Sequence, residues 1–235
     1  IKLLKNIKLD YNVKYFFVAS KKSFGRSLLF KSIEYDIITL DQIKYNIDES
    51  SLNMIINCSS SEISNILSQN MTNNNILIDN SSRFRMDKNI SLVIPEINFP
   101  KKLQNIYANP NCSTIILACL LEPLRKFKIK RVVVSTYQAA SGAGIKGLDE
   151  LNLQMKQLVN GAKITTDYWG KQYVNNVMVH NSQIYDMYNE EEHKMINETK
   201  KLFNDEFKIT ATCIRVPVVK SHCESVNIEF NNNVS

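Results

Sequence analysis

Long hydrophobic runs are missing from this chain. No apolar stretch approaches the roughly 18 residues needed to cross a bilayer, so a membrane-spanning role is not expected. Paired cysteines are missing too. The five cysteines, at positions 58, 112, 119, 213 and 223, are odd in number and form no C-x-x-C pair. A disulfide scaffold or a zinc ribbon needs such pairing; neither is expected, nor is a metal, and a reducing, cytoplasmic compartment is the natural home. The net charge is +6, but no dense Lys/Arg block with interleaved aromatics accompanies it, and Lys, Asn and Ile are abundant throughout. A nucleic-acid partner is therefore not expected. Internal repeats and low-complexity linkers are also lacking. What remains is 44% hydrophobic and 22% charged over 235 residues. That composition fits a soluble globular protein with a substantial core, as one large domain or two modest ones.

Short apolar runs at 13–20, 52–59 and 75–82 read as buried strands, and Ile63, Ile66 and Leu67 between the last two have helical spacing. That rhythm predicts a parallel βαβ sheet covered on both faces. Residues 113–127 read as a helix that Pro123 shortens or kinks, 131–138 as a strand, and 145–160 as an amphipathic helix. The segment 190–203 carries the strongest helix signal, with Asn189 as N-cap and Glu192 completing a capping box. Its acidic start and basic end match the dipole, and Met195, Thr199, Leu202 and Phe203 form one apolar stripe. Strands are predicted at 207–218 and 225–230, while 161–188 is ambiguous.

"ANPNCSTI", residues 108–115, sets a lone thiol between a polar turn and an apolar helix. With Asn111 as N-cap, Cys112 falls in the first helical turn, where unpaired N–H groups and the dipole favour thiolate. The residue pattern admits a nucleophile or a small packing residue. Cys119, further along the helix, reads as core. Glu191 and Lys194 read as a solvated i,i+3 pair or as a cleft-facing pair. His193 reads as surface and His180 as structural.

The segment "NPNCST" resembles the active-site segment of aspartate-semialdehyde dehydrogenases, as does "VVVSTYQAASGAG" (132–144). "IDNSSRFRMD" (78–87), "VIPEIN" (93–98), "EEHKMINETKK" (191–201) and "RVPVVKSHCESVNIEF" (215–230) match the same family in order and spacing. The resemblance implies an α/β fold. An incomplete Rossmann-like parallel-sheet domain over 1–108 would be followed by an α+β catalytic and dimerisation domain over 109–235. It implies NADPH-dependent reduction of L-aspartyl 4-phosphate to L-aspartate 4-semialdehyde, on the route to lysine, diaminopimelate, threonine and methionine, by a homodimer.

Roles follow residue by residue from the resemblance. Cys112 matches the nucleophile that forms a thioester, Gln138 the substrate-orienting glutamine and His222 the acid/base histidine. Arg215 matches the arginine on the substrate carboxylate and Glu191 the partner of its amino group. Lys194 and Arg85 match phosphate ligands. Ser141 and Gly142 fall on the loop near the nicotinamide, and Lys22 and Ser23 would hold the 2′-phosphate of NADP. The chemistry is consistent: a planar carboxylate suits a guanidinium, and a histidine can take and return a proton. Arg215 and His222 are an odd number of residues apart, so an unbroken strand would face them oppositely. The strand is expected to end or bulge near Pro217 and Ser221. The family's glycine-rich dinucleotide loop has no counterpart here, its usual arginine at the 2′-phosphate is Lys22, and its adenine-side turn reads "SSS". The chain is therefore expected to lack its N-terminus and part of its C-terminus. The alternatives are an N-acetyl-gamma-glutamyl-phosphate reductase, whose cysteine segment usually reads "NPGCYPT", and a noncatalytic remnant of the family.

Overall fold

The computed structural model describes residues 13–19, 24–43, 50–180, 184–204 and 206–232. The chain divides into two compact units. One comprises residues 1–53 and 72–75, the other 54–71 and 76–235.

In the first unit β1 (Phe17–Val18) runs parallel to β3 (Ile33–Ile38), and β2 (Ser27–Phe30) pairs antiparallel with β3. The expected strand at 13–20 shrinks to two residues. The β2–β3 hairpin, which carries no Asn-Gly or Asp-Gly signal, turns through Lys31 and Ser32, both at positive φ. Tyr15, Phe17, Phe30 and Tyr35 meet edge to face beneath it. A short helix, α1 (Leu40–Ile43), follows.

The remaining elements open with β4 (Asn53–Asn57), α2 (Ser61–Gln69), β5 (Asn75–Asp79), β6 (Ser91–Leu92), α3 (Pro95–Asn98) and β7 (Ile106–Ala108). Their sheet has the order β4-β5-β7-β6, with β5 and β6 both parallel to β7. The predicted strand–helix–strand rhythm is present, and Ser60 caps α2. Burial on both faces is not general: β4 is an edge strand and turns Met54 and Ile56 outward. At the end of β5, buried Asp79 accepts from Asn57 and Ser64 at 2.8 Å and from Ser81 at 2.8 Å. That network fixes the turn carrying Asn80.

Helix α4 (Cys112–Leu121) starts at Asn111 and stops before Pro123, whose ring cannot continue an α-helical ladder. The chain tightens into a 3₁₀ turn over Glu122–Phe127. Then come β8 (Ile129–Gln138), a 3₁₀ turn at Ala140–Ala143, α5 (Gly144–Val159), β9 (Met178–Val179), β10 (Ile184–Tyr185) and β11 (Tyr188–Asn189). Helix α6 (Glu190–Leu202), β12 (Lys208–Arg215) and β13 (Cys223–Phe230) complete the order. The second sheet is β13-β8-β12-β9, with β12 parallel to β8 and β13 antiparallel to it.

The period of two sends Val132, Val134, Thr136 and Gln138 of β8 inward beside Ala211, Cys213 and Arg215 of β12. Helix α6, with its stripe Met195, Leu202 and Phe203, packs on β12 and against α4, whose buried side is Leu117, Ala118 and Leu121. Cys119 departs from its expected place in the core: it is exposed, beside Ile116 and Leu120. Helix α4 is apolar on all sides, so its sequence holds no signal of which side packs. The capping box on α6 forms as predicted, with Asn189 Oδ1 accepting the Glu192 N–H at 2.9 Å and Glu192 accepting the Asn189 N–H at 2.8 Å.

Candidate active site

Leaving β7, the chain turns through Asn109, Pro110 and Asn111 into α4. Asn111 Oδ1 accepts the Ser113 N–H at 2.9 Å, the predicted cap. Its own N–H donates to Glu198 at 2.6 Å and its Nδ2 to Glu191 at 2.8 Å. These three bonds fix Cys112, the first residue of α4, in the wall of a cavity of about 380 Å³. The helix-start N–H groups act toward thiolate as expected, but they are not the largest influence on the sulfur. Although the residue is open to the cavity, desolvation by the surrounding walls, and then the Glu191 charge, raise the Cys112 pKa; hydrogen bonds at the helix start offset only part.

Gln138 and Arg215 are paired in register at the ends of β8 and β12, so both point to the inner face. Gln138 Nε2 donates to Ser113 Oγ at 2.8 Å and to Glu191 at 3.4 Å. Arg215, only 5% exposed, donates from Nη1 to the Ala139 carbonyl at 3.1 Å and from Nη2 to His180 Nε2 at 2.7 Å. Strand β12 ends at Arg215, and Ser221 takes a left-handed φ of 76°, so the chain turns between Arg215 and His222 as expected. His222 Nδ1 accepts the Ala139 N–H at 3.1 Å, which leaves the hydrogen of the neutral ring on Nε2. Burial, and then Arg215, lower the His222 pKa.

At the start of α6, Glu191 faces the cavity. Burial acts to raise its pKa, while His180, the Asn111 donor, Lys194 and Gln138 act to lower it and set the net direction downward; His180 contributes only while its ring is charged. Arg85 also reaches the wall, with Nη1 on Glu198 at 3.1 Å and Nη2 on the Asn80 carbonyl at 3.0 Å. Thus Cys112, Gln138, Arg215, His222, Glu191, Arg85 and Gly142 share one cavity. Two of the expected residues are not in its wall. Lys194 pairs with Glu190 at 2.7 Å, and Ser141 bonds through its N–H to the Val219 carbonyl at 3.1 Å. Lys22 and Ser23 lie outside the described residues.

Three further residues shape the site without having been singled out for it. His180, read from sequence as structural, stands in the wall, its N–H donating to the Cys213 carbonyl at 3.0 Å. Its pKa is pushed down to about 4, by burial first and the Arg215 charge second. Glu198, buried beneath the turn, binds both Arg85 and Asn111. Lys201 gathers the carbonyls of Arg85, Asp87 and Ile90 at 2.7, 2.6 and 2.9 Å, tying that loop to α6. The available signal was periodicity: Glu191, Lys194, Glu198 and Lys201 recur at steps of three and four, one stripe of α6. His193, read as surface, is half-buried and stacks on Tyr185 with ring centroids 3.9 Å apart.

The semialdehyde dehydrogenase NAD binding domain family matches residues 1–106, and the semialdehyde dehydrogenase dimerisation domain family matches residues 121–235. An aspartate-semialdehyde dehydrogenase of Prochlorococcus marinus is 47% identical over 161 residues, covering 66% of this chain and 47% of the relative. The chain therefore aligns with about half the length of that relative. One from Aquifex aeolicus is 38% identical over 241 residues, covering 98% of this chain and 69% of the relative. Among solved structures, aspartate semialdehyde dehydrogenase II from Vibrio cholerae, complexed with ASA, superposes with a TM-score of 0.84 at 33% identity, over 93% of this chain and 66% of that one. No described helix is long and apolar enough to cross a membrane. With two semialdehyde dehydrogenase family models matching residues 1–106 and 121–235 and a relative 38% identical over 69% of its own length, the chain belongs to the aspartate-semialdehyde dehydrogenase family.

Proposed function

We propose that the protein reduces L-aspartyl 4-phosphate to L-aspartate 4-semialdehyde with NADPH, in the cytoplasm and as a homodimer, on the route to diaminopimelate, lysine, threonine and methionine. Residues 1–108 are assigned to the cofactor and 109–235 to catalysis and dimerisation. The observation that carries this reading is one cavity holding a helix-start thiol, a carboxylate bonded to Asn111 and two arginines. An amino acid with an acyl phosphate asks for that set: a nucleophile for the acyl carbon, an anion for the ammonium, and cations for the carboxylate and phosphate.

In this reading the Cys112 thiol gives up its proton as its sulfur bonds to the acyl carbon, the carbon–oxygen bond to phosphate breaks, the phosphate leaves carrying a proton, and a thioester remains. Arg215 holds the carboxylate, Glu191 the amino group, and Gln138 orients the carbonyl. Arg85 and Lys194 take the phosphate; Lys194 does so by leaving Glu190. Neutral His222 presents Nε2–H, suited to donating to the departing oxygen. To take the thiol proton instead, its ring must release the Ala139 N–H from Nδ1.

Bound NADPH supplies the hydride that turns the thioester into the aldehyde. Ser141 and Gly142 would border its nicotinamide, and Lys22 and Ser23 its 2′-phosphate. The loop fits that use. A β-carbon at Gly142 would come within 3.0 Å of both Arg215 Nη1 and His222 Nε2, so only bare backbone can pass this close to the reacting groups.

Phosphate-dependent reduction of NADP by aspartate semialdehyde, measured with protein from the intact gene, tests the reading. Turnover should vanish in Cys112→Ala, and limiting iodoacetamide should inactivate in proportion to Cys112 labelling. Absence of turnover with this aldehyde, or inactivation through Cys119 with Cys112 untouched, would overturn it. Lys22→Glu should raise the NADPH KM about tenfold, roughly 1.4 kcal/mol; an unchanged KM would remove the 2′-phosphate assignment.

A further inference from the structure

The buried Arg215 guanidinium is held in an unusual way for a charge. Among the described residues no carboxylate forms an ion pair with it. Among the described residues its acceptors, the Ala139 carbonyl and His180 Nε2, are uncharged and its Nε has no hydrogen-bond partner, and the Trp169 ring centroid lies 5.9 Å away. A carboxylate in the place of His180 would fix the fork equally well, but it would also cancel the charge. A neutral acceptor fixes direction and leaves the charge for a ligand.

We propose that His180 is a positioning residue for Arg215: its Nε2 lone pair orients the guanidinium in the cavity wall, and so sets how well the site takes the carboxylate of its substrate. The proposal deepens the function proposed above and rests on it for the identity of that carboxylate. Geometry supports the role at both ends of the residue. Strand β9 pairs antiparallel with β12, Met178 opposite Arg215, and the His180 N–H continues the ladder to the Cys213 carbonyl. The backbone is thus anchored to the strand that carries Arg215, and the ring is aimed at Nη2. Accepting at Nε2 requires the neutral ring with its hydrogen on Nδ1. Arg215, Glu191, Lys194 and Glu190 are the charged groups acting on the ring. Burial and Arg215 lead among these influences and keep it neutral.

The test compares two variants that differ by one methylene. In His180→Gln the amide oxygen can stand where Nε2 stood; in His180→Asn it falls short of Nη2. Rates of Cys112 alkylation by iodoacetate and by iodoacetamide are measured by mass spectrometry, and their ratio reports the cation presented to a carboxylate. His180→Asn should lower the iodoacetate-to-iodoacetamide ratio about fivefold, and His180→Gln should restore most of it. Wild-type ratios in His180→Asn, or equal losses in both variants, overturn the proposal. Kinetics separate this failure from failure of the proposed function. His180→Asn should lower kcat/KM for aspartate semialdehyde while sparing 3-aminopropanal, which lacks the carboxylate. A wild type inactive on the semialdehyde but with the alkylation pattern intact would sink the substrate assignment and leave the positioning role standing.

Discussion

Two arginines stand in the wall of one cavity and are held in opposite ways. Arg85 meets the buried Glu198 carboxylate at 3.1 Å, and the same carboxylate receives the Asn111 N–H at 2.6 Å. Arg215 meets a carbonyl and an uncharged imidazole. At the first corner the charge is matched inside the protein, and the pair braces the turn that presents Cys112. At the second the charge is left for whatever enters. Residue type and burial are the same at both corners; the charge of the partner decides whether an arginine is mainly a brace or mainly a receptor.

The comparison can be broken most severely at the brace. Glu198→Ala leaves Arg85 buried without a counter-charge and should cost about 3–5 kcal/mol, seen as an early midpoint in urea. Combining it with Arg85→Met should recover much of the loss, though less than all, because the Asn111 N–H still lacks its acceptor. A Glu198→Ala protein as stable as wild type would end the brace interpretation. Next in size, Arg215→Lys should lower kcat/KM for the semialdehyde roughly 10- to 150-fold while the melting temperature stays near wild type. An early-melting variant with near-native kinetics would make Arg215 the brace instead.

Acid should separate the corners by sign. His180 titrates near 4 when folded and near 6.5 when unfolded. Between those values the unfolded chain binds more protons, so stability from this corner is complete above about pH 6.5 and falls as pH drops toward 4. Glu198 has its pKa raised, by burial first. Its folded form binds the extra proton, so acid relieves that corner. Wild type should therefore lose roughly 1–2 kcal/mol between pH 7 and 4.5 through His180, after discounting for solvent screening, and His180→Gln should flatten the curve. An unchanged slope in that variant would assign the acid loss elsewhere. The smallest expected effect lies between the corners. Glu191→Gln removes a charge that raises the Cys112 pKa and should speed alkylation at pH 7.5 about two- to fivefold; a slower reaction would show that Glu191 acts on the thiol chiefly through Asn111.

Much of this site could be read before folding, because its signals are local. Asn111 and Cys112 announce a helix start, Asn189 and Glu192 a capping box, and Pro123 the end of α4. The strand end that carries Gln138 follows from an apolar run that stops at a polar residue, whereas β12 ends at Arg215, short of its predicted end at 218. Other features were not readable for equally physical reasons. Cys119 sits on a helix with no polar side to orient it. The thiol's raised pKa depends on burial first and then on Glu191, about eighty positions away. The hairpin at Lys31 and Ser32 uses left-handed residues without the usual glycine.

The sequence by itself determined the family, the order of the principal strands and helices, and the chemistry of the groups brought to the cavity. Each of these is set by residue identity at short spacing, which capping, periodicity and ring constraints read directly. Only the tertiary structure decided which groups share a charge and which are left to act. It placed Glu198 under Arg85 and His180 beside Arg215, and it desolvated Cys112 next to Glu191. Those outcomes depend on through-space distances of a few ångströms between distant segments of chain, where burial and Coulomb interaction together set protonation.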